Sequence, residues 1–291
     1  MTSRLALGTV QFGLDYGIAN AGGIVPFEAA KTIVRAAQSV GVDTLDTAIA
    51  YGTSEQTLGR IGVQSHHVIS KMPGVPPDIS DIGDWVRSQL EQSLKRLDIS
   101  ALYGLLLHQP AQLRAERGRA LYEALRDCQN AGLVKKIGYS IYDPGELEHL
   151  FAPYPPDIIQ APLNILDRRL VDTGWLARLN EAGVIVHTRS AFLQGLLLMS
   201  STSRPSGFNR WDALWARWQQ FLDETRMTPI EACLGFVLGH AAVDNVVVGV
   251  NSLAHFEEIL AASSKPLLTR APDDLSSTDL NLIEPSNWSR L

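Results

Sequence analysis

The chain has 291 residues, 45% hydrophobic and 19% charged, with 25 basic against 31 acidic residues for a formal net charge of −6. That balance excludes a nucleic-acid binder whose affinity rests on a broad basic surface, and a mean hydropathy near zero excludes wholesale disorder. No apolar run reaches the about 18 residues of a membrane-spanning helix, so no membrane association is expected. The start, Met1-Thr2-Ser3-Arg4, leads directly into an apolar segment carrying glycines and a Gln. It does not resemble a signal-peptide core, so a cytoplasmic protein is expected. Leu5–Thr9 reads as a strand, and Pro26 then opens a helix with Phe27, Ala30, Ile33, Val34, Ala37 and Val40 on one face, ended by Gly41. Strands Thr44–Thr47 and Val68–Lys71 follow, then a helix from Asp81 to Leu97 carrying Trp85, Val86, Leu90, Leu94 and Leu97 along one side. Strand Tyr103–His108 precedes a helix marked by Leu121, Leu125 and Cys128 and stopped by Gly132. Strands Lys136–Ser140 and Ile158–Pro162 come next, then a helix with Leu176 and Leu179 before Gly183, then strand Val184–Ser190. Thr228-Pro229-Ile230-Glu231 is a capping box opening a helix with Ile230, Leu234 and Val237 on its apolar face. Strand Val246–Val250 is last, and Ser252 can cap the helix carrying Phe256, Ile259 and Leu260. Cys128 and Cys233 are far apart in helical patterns and read as reduced core thiols.

Eight strands alternating with helices over about 260 residues predict a (β/α)8 TIM barrel. It would be a single domain over 1–291, with 265–291 as a C-terminal tail. A doubly wound open sheet is the alternative. Several strands are continuous apolar runs, as suits strands covered on both faces. The segment from Met199 to Trp215 and the tail from Lys265 exceed connector length, as functional or mobile loops do.

In such a barrel the functional residues sit at the C-terminal ends of strands. The second strand ends in Asp46-Thr47-Ala48-Ile49-Ala50-Tyr51-Gly52, the third in Ser70-Lys71 and the fourth in His108-Gln109-Pro110. This set has a specific chemistry. A phenol is a weak acid at neutral pH, and a buried ammonium beside it stabilises the phenolate. A carboxylate keeps that ammonium charged and oriented, and a neutral imidazole can align a carbonyl with the phenol. Together Asp46, Tyr51, Lys71 and His108 would make a proton donor for carbonyl reduction that needs no metal.

Asp46-Thr47-Ala48-x-x-Tyr51-Gly52 followed by Lys71 and His108 resembles the tetrad of the aldo-keto reductase superfamily. The opening Leu7-Gly8-Thr9-Val10-Gln11-Phe12-Gly13, the Gly138-Tyr139-Ser140 run, Gln160 with Asn164, and Arg189-Ser190-Ala191-Phe192-Leu193-Gln194-Gly195-Leu196 are similar to its other landmarks. The likeness runs from Leu5 to about Leu260. It implies a nicotinamide cofactor, hydride transfer to a small-molecule aldehyde or ketone, Tyr51 as general acid tuned by Lys71 and Asp46, and His108 orienting the carbonyl. By the same resemblance Ser140 and Gln160 hold the nicotinamide carboxamide, with Thr9, Val10 and Asp46 as further cofactor contacts. Ser190, Phe192 and Gly195 match the pyrophosphate loop, and the segment Gly249, Asn251, His255 and Glu258 matches the adenosine end. Arg189, where many members stack an aromatic residue on the nicotinamide, and Gln194 are further cofactor contacts. NADP(H) is favoured as the family default, with NAD(H) also open. Three departures stand out. Arg189 replaces an aromatic residue and is expected to contact cofactor or substrate. Ile141 follows Ser140 where Asn is usual, and Val250, Asn251 and His255 stand where phosphate-gripping basic residues are typical. Two other functions stay open: a sugar or lactol dehydrogenase using the site oxidatively, and a cofactor-binding regulatory or redox-sensing protein. Substrate choice is expected in the loops at Phe12–Ile18, Asn164–Arg169 and Met199–Trp215. His66-His67 would point to opposite strand faces, so no metal site is expected. Arg168-Arg169 reads as a solvated helix start, with an anionic-substrate contact as the alternative. Trp211, Trp215 and Trp218 read as packing, with a substrate cleft as the alternative, and Ala271–Asp279 reads as a solvated or mobile segment.

Overall fold

The apolar runs become eight parallel strands that pair in chain order and close into a barrel. In this computed structural model, residues 3–20, 22–268 and 270–291 are described. Strands β1 to β8 are Leu5–Gly8, Thr44–Asp46, His67–Met72, Leu102–Leu107, Val134–Ser140, Ile158–Pro162, Ile185–Arg189 and Asn245–Gly249, each within a few residues of its expected place. The final seam joins β1 to β8 from Leu5↔Val246 to Gly8↔Gly249. Arg4 locks the outside of this seam. Its guanidinium donates to the carbonyls of Leu238 at 2.7 Å, His240 at 2.6 Å and Val243 at 2.6 Å. Inside the barrel, Ile69, Leu106 and Ile158 form a small buried cluster below the mouth, with Tyr103 and Ile185 packed against it. The main core lies between sheet and helices.

Helices α1 to α4 are Phe27–Ser39, Ser54–Ile61, Ile82–Leu97 and Gly118–Asn130. Pro26 is the cap residue just before α1. Val40 sits past its end and is exposed, so the buried stripe stops at Ala37. Asp81 caps α3 by accepting from the Asp84 amide. Then come α5 (Leu147–Leu150), α6 (Arg169–Asp172), α7 (Trp175–Glu181), α8 (Asp212–Thr225), α9 (Pro229–Leu238), α10 (Leu253–Ser263) and α11 (Leu280–Ile283). Both halves of the capping box at Thr228 and Glu231 form, and Ser252 accepts from the His255 amide to cap α10. Cys128 and Cys233 are free and buried. No described helix is long and apolar enough to cross a membrane.

Two expectations about loops are corrected. The tail is docked, not solvated. Ala271, Leu275, Leu282 and Ile283 are buried, and Ser277 N donates to Leu166 O at 2.8 Å. Arg168 and Arg169 stand at the start of α6, but they are not solvated. Arg168 donates to Ala271 O at 3.2 Å and Pro272 O at 2.7 Å, while Arg169 pairs with buried Asp167 at 2.9 Å and tail Glu284 at 3.3 Å. In the loop Asn164–Arg169 the Leu166 carbonyl and the two arginines meet the tail, while buried Asn164 donates to Ser190 O at 3.1 Å. A helix-start pattern cannot reveal that the coil satisfying a guanidinium lies a hundred residues away. The segment after β7 forms a short 3-10 turn, Ser206–Trp211, running into α8. Trp215 and Trp218 are buried and donate to Phe208 O at 2.8 Å and Leu197 O at 3.3 Å, and Trp211 donates to Asp279 at 3.0 Å. These are packing roles. Trp215 and Trp218 also border a second cavity beside Arg204 and Met227, which shares Leu198 with the cleft at the barrel mouth.

Candidate active site

The turn after β2 presents Tyr51 at the mouth. Tyr51 N donates to Ala48 O at 3.0 Å, and Ser54 N returns to Tyr51 O at 3.0 Å to start α2. The loop after β1 lies directly against this turn. A Cβ on Gly13 would sit 2.0 Å from Tyr51 O, and one on Gly52, at φ +54°, would sit 2.3 Å from Gly13 O. Only glycine at both places lets the two backbones touch, which fixes the height of Tyr51 over the barrel. A buried hydroxyl relay backs them: Ser54 Oγ donates to Thr9 O at 2.8 Å, and Thr9 Oγ1 donates to Asp46 O at 2.9 Å. On the outer face, buried Glu55 accepts from Ser70 at 2.7 Å, Ser93 at 2.6 Å and Arg96 Nε at 2.7 Å. This pins α2 to β3 and α3 beneath the site.

The structure brings the four tetrad positions together. Lys71 Nζ donates to Asp46 Oδ1 at 2.6 Å and to Thr47 O at 3.0 Å, fully inside the protein. Gln160 Nε2 donates to the other Asp46 oxygen at 2.6 Å. Lys71 Nζ lies 5.2 Å from the centroid of the Tyr51 ring, and the His108 ring meets Tyr51 edge-on at 5.9 Å between centroids. Burial alone would discharge Lys71, but the Asp46 carboxylate beside it more than offsets this and leaves its pKa raised. His108 goes the other way. Burial first, then the charges of Lys71 and Arg189, hold it down to about 4, so it is neutral at pH 7. Such an imidazole can donate to a carbonyl oxygen without carrying charge.

Burial also holds His187, inside β7, down to about 4. For both histidines the unfolded chain binds the proton more readily than the folded one. Between the unfolded value near 6.5 and about 4, stability is therefore lost as pH falls, and it is fully present above that window. Thermal melts should show a declining Tm across this window, and His187→Gln should flatten the slope. An unchanged slope in His187→Gln would remove His187 from the acid response.

A cleft of about 340 Å3 opens beside Asp46 and Tyr51. Of the expected cofactor residues it is lined by Thr9, Val10, Asp46, Gln160, Arg189, Ser190, Phe192, Gln194, Gly195, Gly249, Asn251 and His255. Two lie off it. Ser140 is buried at the end of β5, and Glu258 is exposed one turn beyond His255. Gln11, Tyr16 and Asn20 also line the cleft and carried no cofactor expectation. Tyr16 accepts from Gln194 Nε2 at 3.0 Å, and Asn20 accepts from Asn251 Nδ2 at 3.1 Å, so the β1 loop reaches both far banks. Only Tyr16 fell within a segment named as a substrate loop. Among the described residues no cluster of three or more His, Cys, Asp or Glu side chains suits a metal ion.

Known proteins share this architecture. The chain overlays on an aldo-keto reductase, AKR11C1 of Bacillus halodurans in its holo form, with a TM-score of 0.73, 21% identity, and coverage of 92% of this chain and 89% of that one. It overlays on the glycerol dehydrogenase AKR11B4 of Gluconobacter oxydans with a TM-score of 0.71, 21% identity, and coverage of 92% and 88%. At this identity these two show the fold. In sequence it is 31% identical over 185 residues to aflatoxin B1 aldehyde reductase member 2 of Rattus norvegicus, covering 58% of this chain and 49% of the relative. It is 27% identical over 190 residues to aldo-keto reductase YhdN of Bacillus subtilis (strain 168), covering 59% and 53%. The matches span about half the length of these curated relatives. The family model described as "Aldo/keto reductase family" matches residues 4–276. With a match of that extent over a closed eight-stranded barrel, the chain belongs to the aldo/keto reductase family.

Proposed function

We propose that this protein is a nicotinamide-dependent oxidoreductase that interconverts a small-molecule carbonyl compound and its alcohol. The observation that carries this reading is the buried Lys71–Asp46 pair set beneath the Tyr51 ring and beside a neutral His108. Tyr51 gives its hydroxyl proton to the carbonyl oxygen, and Lys71 stabilises the phenolate left behind. His108 donates to the same oxygen and sets its angle. Asp46, held by Lys71 and Gln160, keeps the ammonium in place. The cleft suits a dinucleotide. A Cβ on Gly249 would come within 2.7 Å of the Gln11 amide, so the glycine leaves that wall flat. The loop Ser190–Gly195 holds Ser190, Leu193, Gln194 and Gly195 at positive φ, a backbone shape found where loops clamp ligands. A bound nicotinamide supplies or accepts the hydride. Reduced cofactor mixed with a panel of aldehydes and ketones tests the reading. Loss of its absorbance supports it, while tight binding with a silent panel favours the regulatory protein instead. The free buried thiols suit a reducing, cytoplasmic compartment.

The NADP(H) expectation meets a physical obstacle. At the adenosine end the cleft is lined by Gln11, Asn20, Gly249, Asn251 and His255, with no Lys or Arg among the described residues there. Burial lowers the pKa of His255, which works against its holding a charge there. Asn20 donates to Asp15 and to Gly23 O and accepts from Gly22 N, which fixes the orientation of its amide. Asn251 must then donate to Asn20, leaving its own carbonyl oxygen without a donor. A lone acceptor suits a ribose hydroxyl and repels a phosphate, whose strong contacts are charge-assisted. This end therefore supports NAD(H) over NADP(H). Fluorescence titration should give a lower Kd for NADH than for NADPH, and tighter NADPH binding would sink this preference.

A further inference from the structure

Arg189 ends β7 at the barrel mouth and is the one Lys or Arg among the described residues lining the cleft. Its donors meet only neutral acceptors. Nη2 donates to Ile141 O at 3.1 Å and Nη1 to Ser190 Oγ at 3.3 Å. Its guanidinium stacks 4.4 Å from the centroid of the Tyr142 ring. Among the described residues it forms no ion pair, whereas Arg96 is matched by Glu55, and Arg169 by Asp167 and Glu284. The acidic residue of the cleft lining, Asp46, is already committed to Lys71 and Gln160. The ionised groups of the reacting centre are then Lys71, Arg189 and Asp46, which leaves an unmatched positive charge where the substrate must lie. Arg4 is likewise held by neutral carbonyls alone, but it closes the β1–β8 seam, whereas Arg189 faces the open cleft.

We infer that Arg189 recognises an anionic group on the substrate, so that the enzyme acts on carbonyl compounds bearing a carboxylate. This rests on the oxidoreductase reading above and narrows it. A guanidinium has five N–H donors in a rigid fork, and those not spent on Ile141 and Ser190 can grip a planar carboxylate. The cofactor pyrophosphate is the competing anion. Two features set the guanidinium toward the reacting end, where substrate meets nicotinamide, and away from the pyrophosphate. The guanidinium is tied toward the β5 side by the Ile141 carbonyl and Tyr142 ring. Its charge also falls on His108 and Lys71, the groups at the reacting end.

The test uses matched aldehydes, succinic semialdehyde against butanal and 4-carboxybenzaldehyde against benzaldehyde, with saturating reduced cofactor. It is run on the parent, Arg189→Gln and Arg189→Lys. The readout is the ratio of kcat/KM for the acid to that for the neutral member, which cancels any general effect on cofactor handling. The parent should prefer the acid by about tenfold or more, the scale of a hydrogen bond to a charged group. Arg189→Gln should bring the ratio close to one, mainly through KM, and Arg189→Lys should fall between. A parent ratio near one, or a ratio unchanged in Arg189→Gln, overturns the inference alone. An unchanged ratio together with a weakened cofactor Kd assigns Arg189 to the pyrophosphate and overturns it too. No turnover of any pair with cofactor bound overturns the oxidoreductase reading and this inference together.

Discussion

Replacing Tyr51 with Phe is expected to lower kcat on a carbonyl substrate by about 10²- to 10⁴-fold, the usual weight of a positioned general acid. The substitution removes the hydroxyl and keeps the ring. The ring's contacts with Lys71 and His108 therefore remain, as does the Gly13–Gly52 backbone contact that sets the turn. Cofactor affinity should consequently be unchanged, and fluorescence titration alongside steady-state kinetics checks both halves. Full activity of Tyr51→Phe on every compound turned over by the parent would remove Tyr51 as the proton donor. A fall in activity matched by a fall in cofactor affinity would instead make it a binding residue.

The second large effect concerns stability as well as rate. Lys71→Met leaves Asp46 buried with Gln160 as its remaining side-chain partner. Removing one member of a buried ion pair costs about 3–5 kcal/mol, because the other charge stays behind in the interior. Asp46→Asn in the same chain removes that stranded charge, so the double variant should recover much of the lost stability. It should recover no activity, since the ammonium that stabilises the phenolate is still missing. Denaturant titration of the parent, both singles and the double measures the coupling directly. A Lys71→Met protein as stable as the parent would show that the pair is not an isolated buried charge couple.

The parts of this molecule that were legible beforehand are those with local signatures. The Leu105–Leu107 run of β4 is apolar because both faces are covered, and Thr228 and Ser252 announce helix starts through short-range hydrogen bonds. Asp46, Tyr51, Lys71 and His108 stood out because strand ends in a parallel barrel converge on one mouth. The illegible parts depend on distant partners. Tyr16 meets Gln194 from 178 residues away and Asn20 meets Asn251 from 231, across irregular loops that carry no period. Glu55 looks like an ordinary surface acid, yet it is buried by two serines and an arginine drawn from other elements. The tail misled for the opposite reason. Its charges suggest solvent, while a few spaced apolar side chains and the carbonyls facing Arg168 dock it.

The seam between β1 and β8, clamped by Arg4 to carbonyls as far as 239 residues along the chain, also bears on how the protein is made. Synthesis delivers β1 long before β8. Until the final strand leaves the ribosome, β1 presents an unpaired edge that no local contact can cover, and such edges recruit other chains. Closure must therefore wait for β8 and then proceed through contacts of very high sequence separation, which makes barrel completion slow relative to helix formation. A chain interrupted before Asn245 would lack the strand that seals the cylinder, and with it the Gly249 wall of the cleft. Ribosome-bound intermediates of this protein are thus the species that most need shielding from one another.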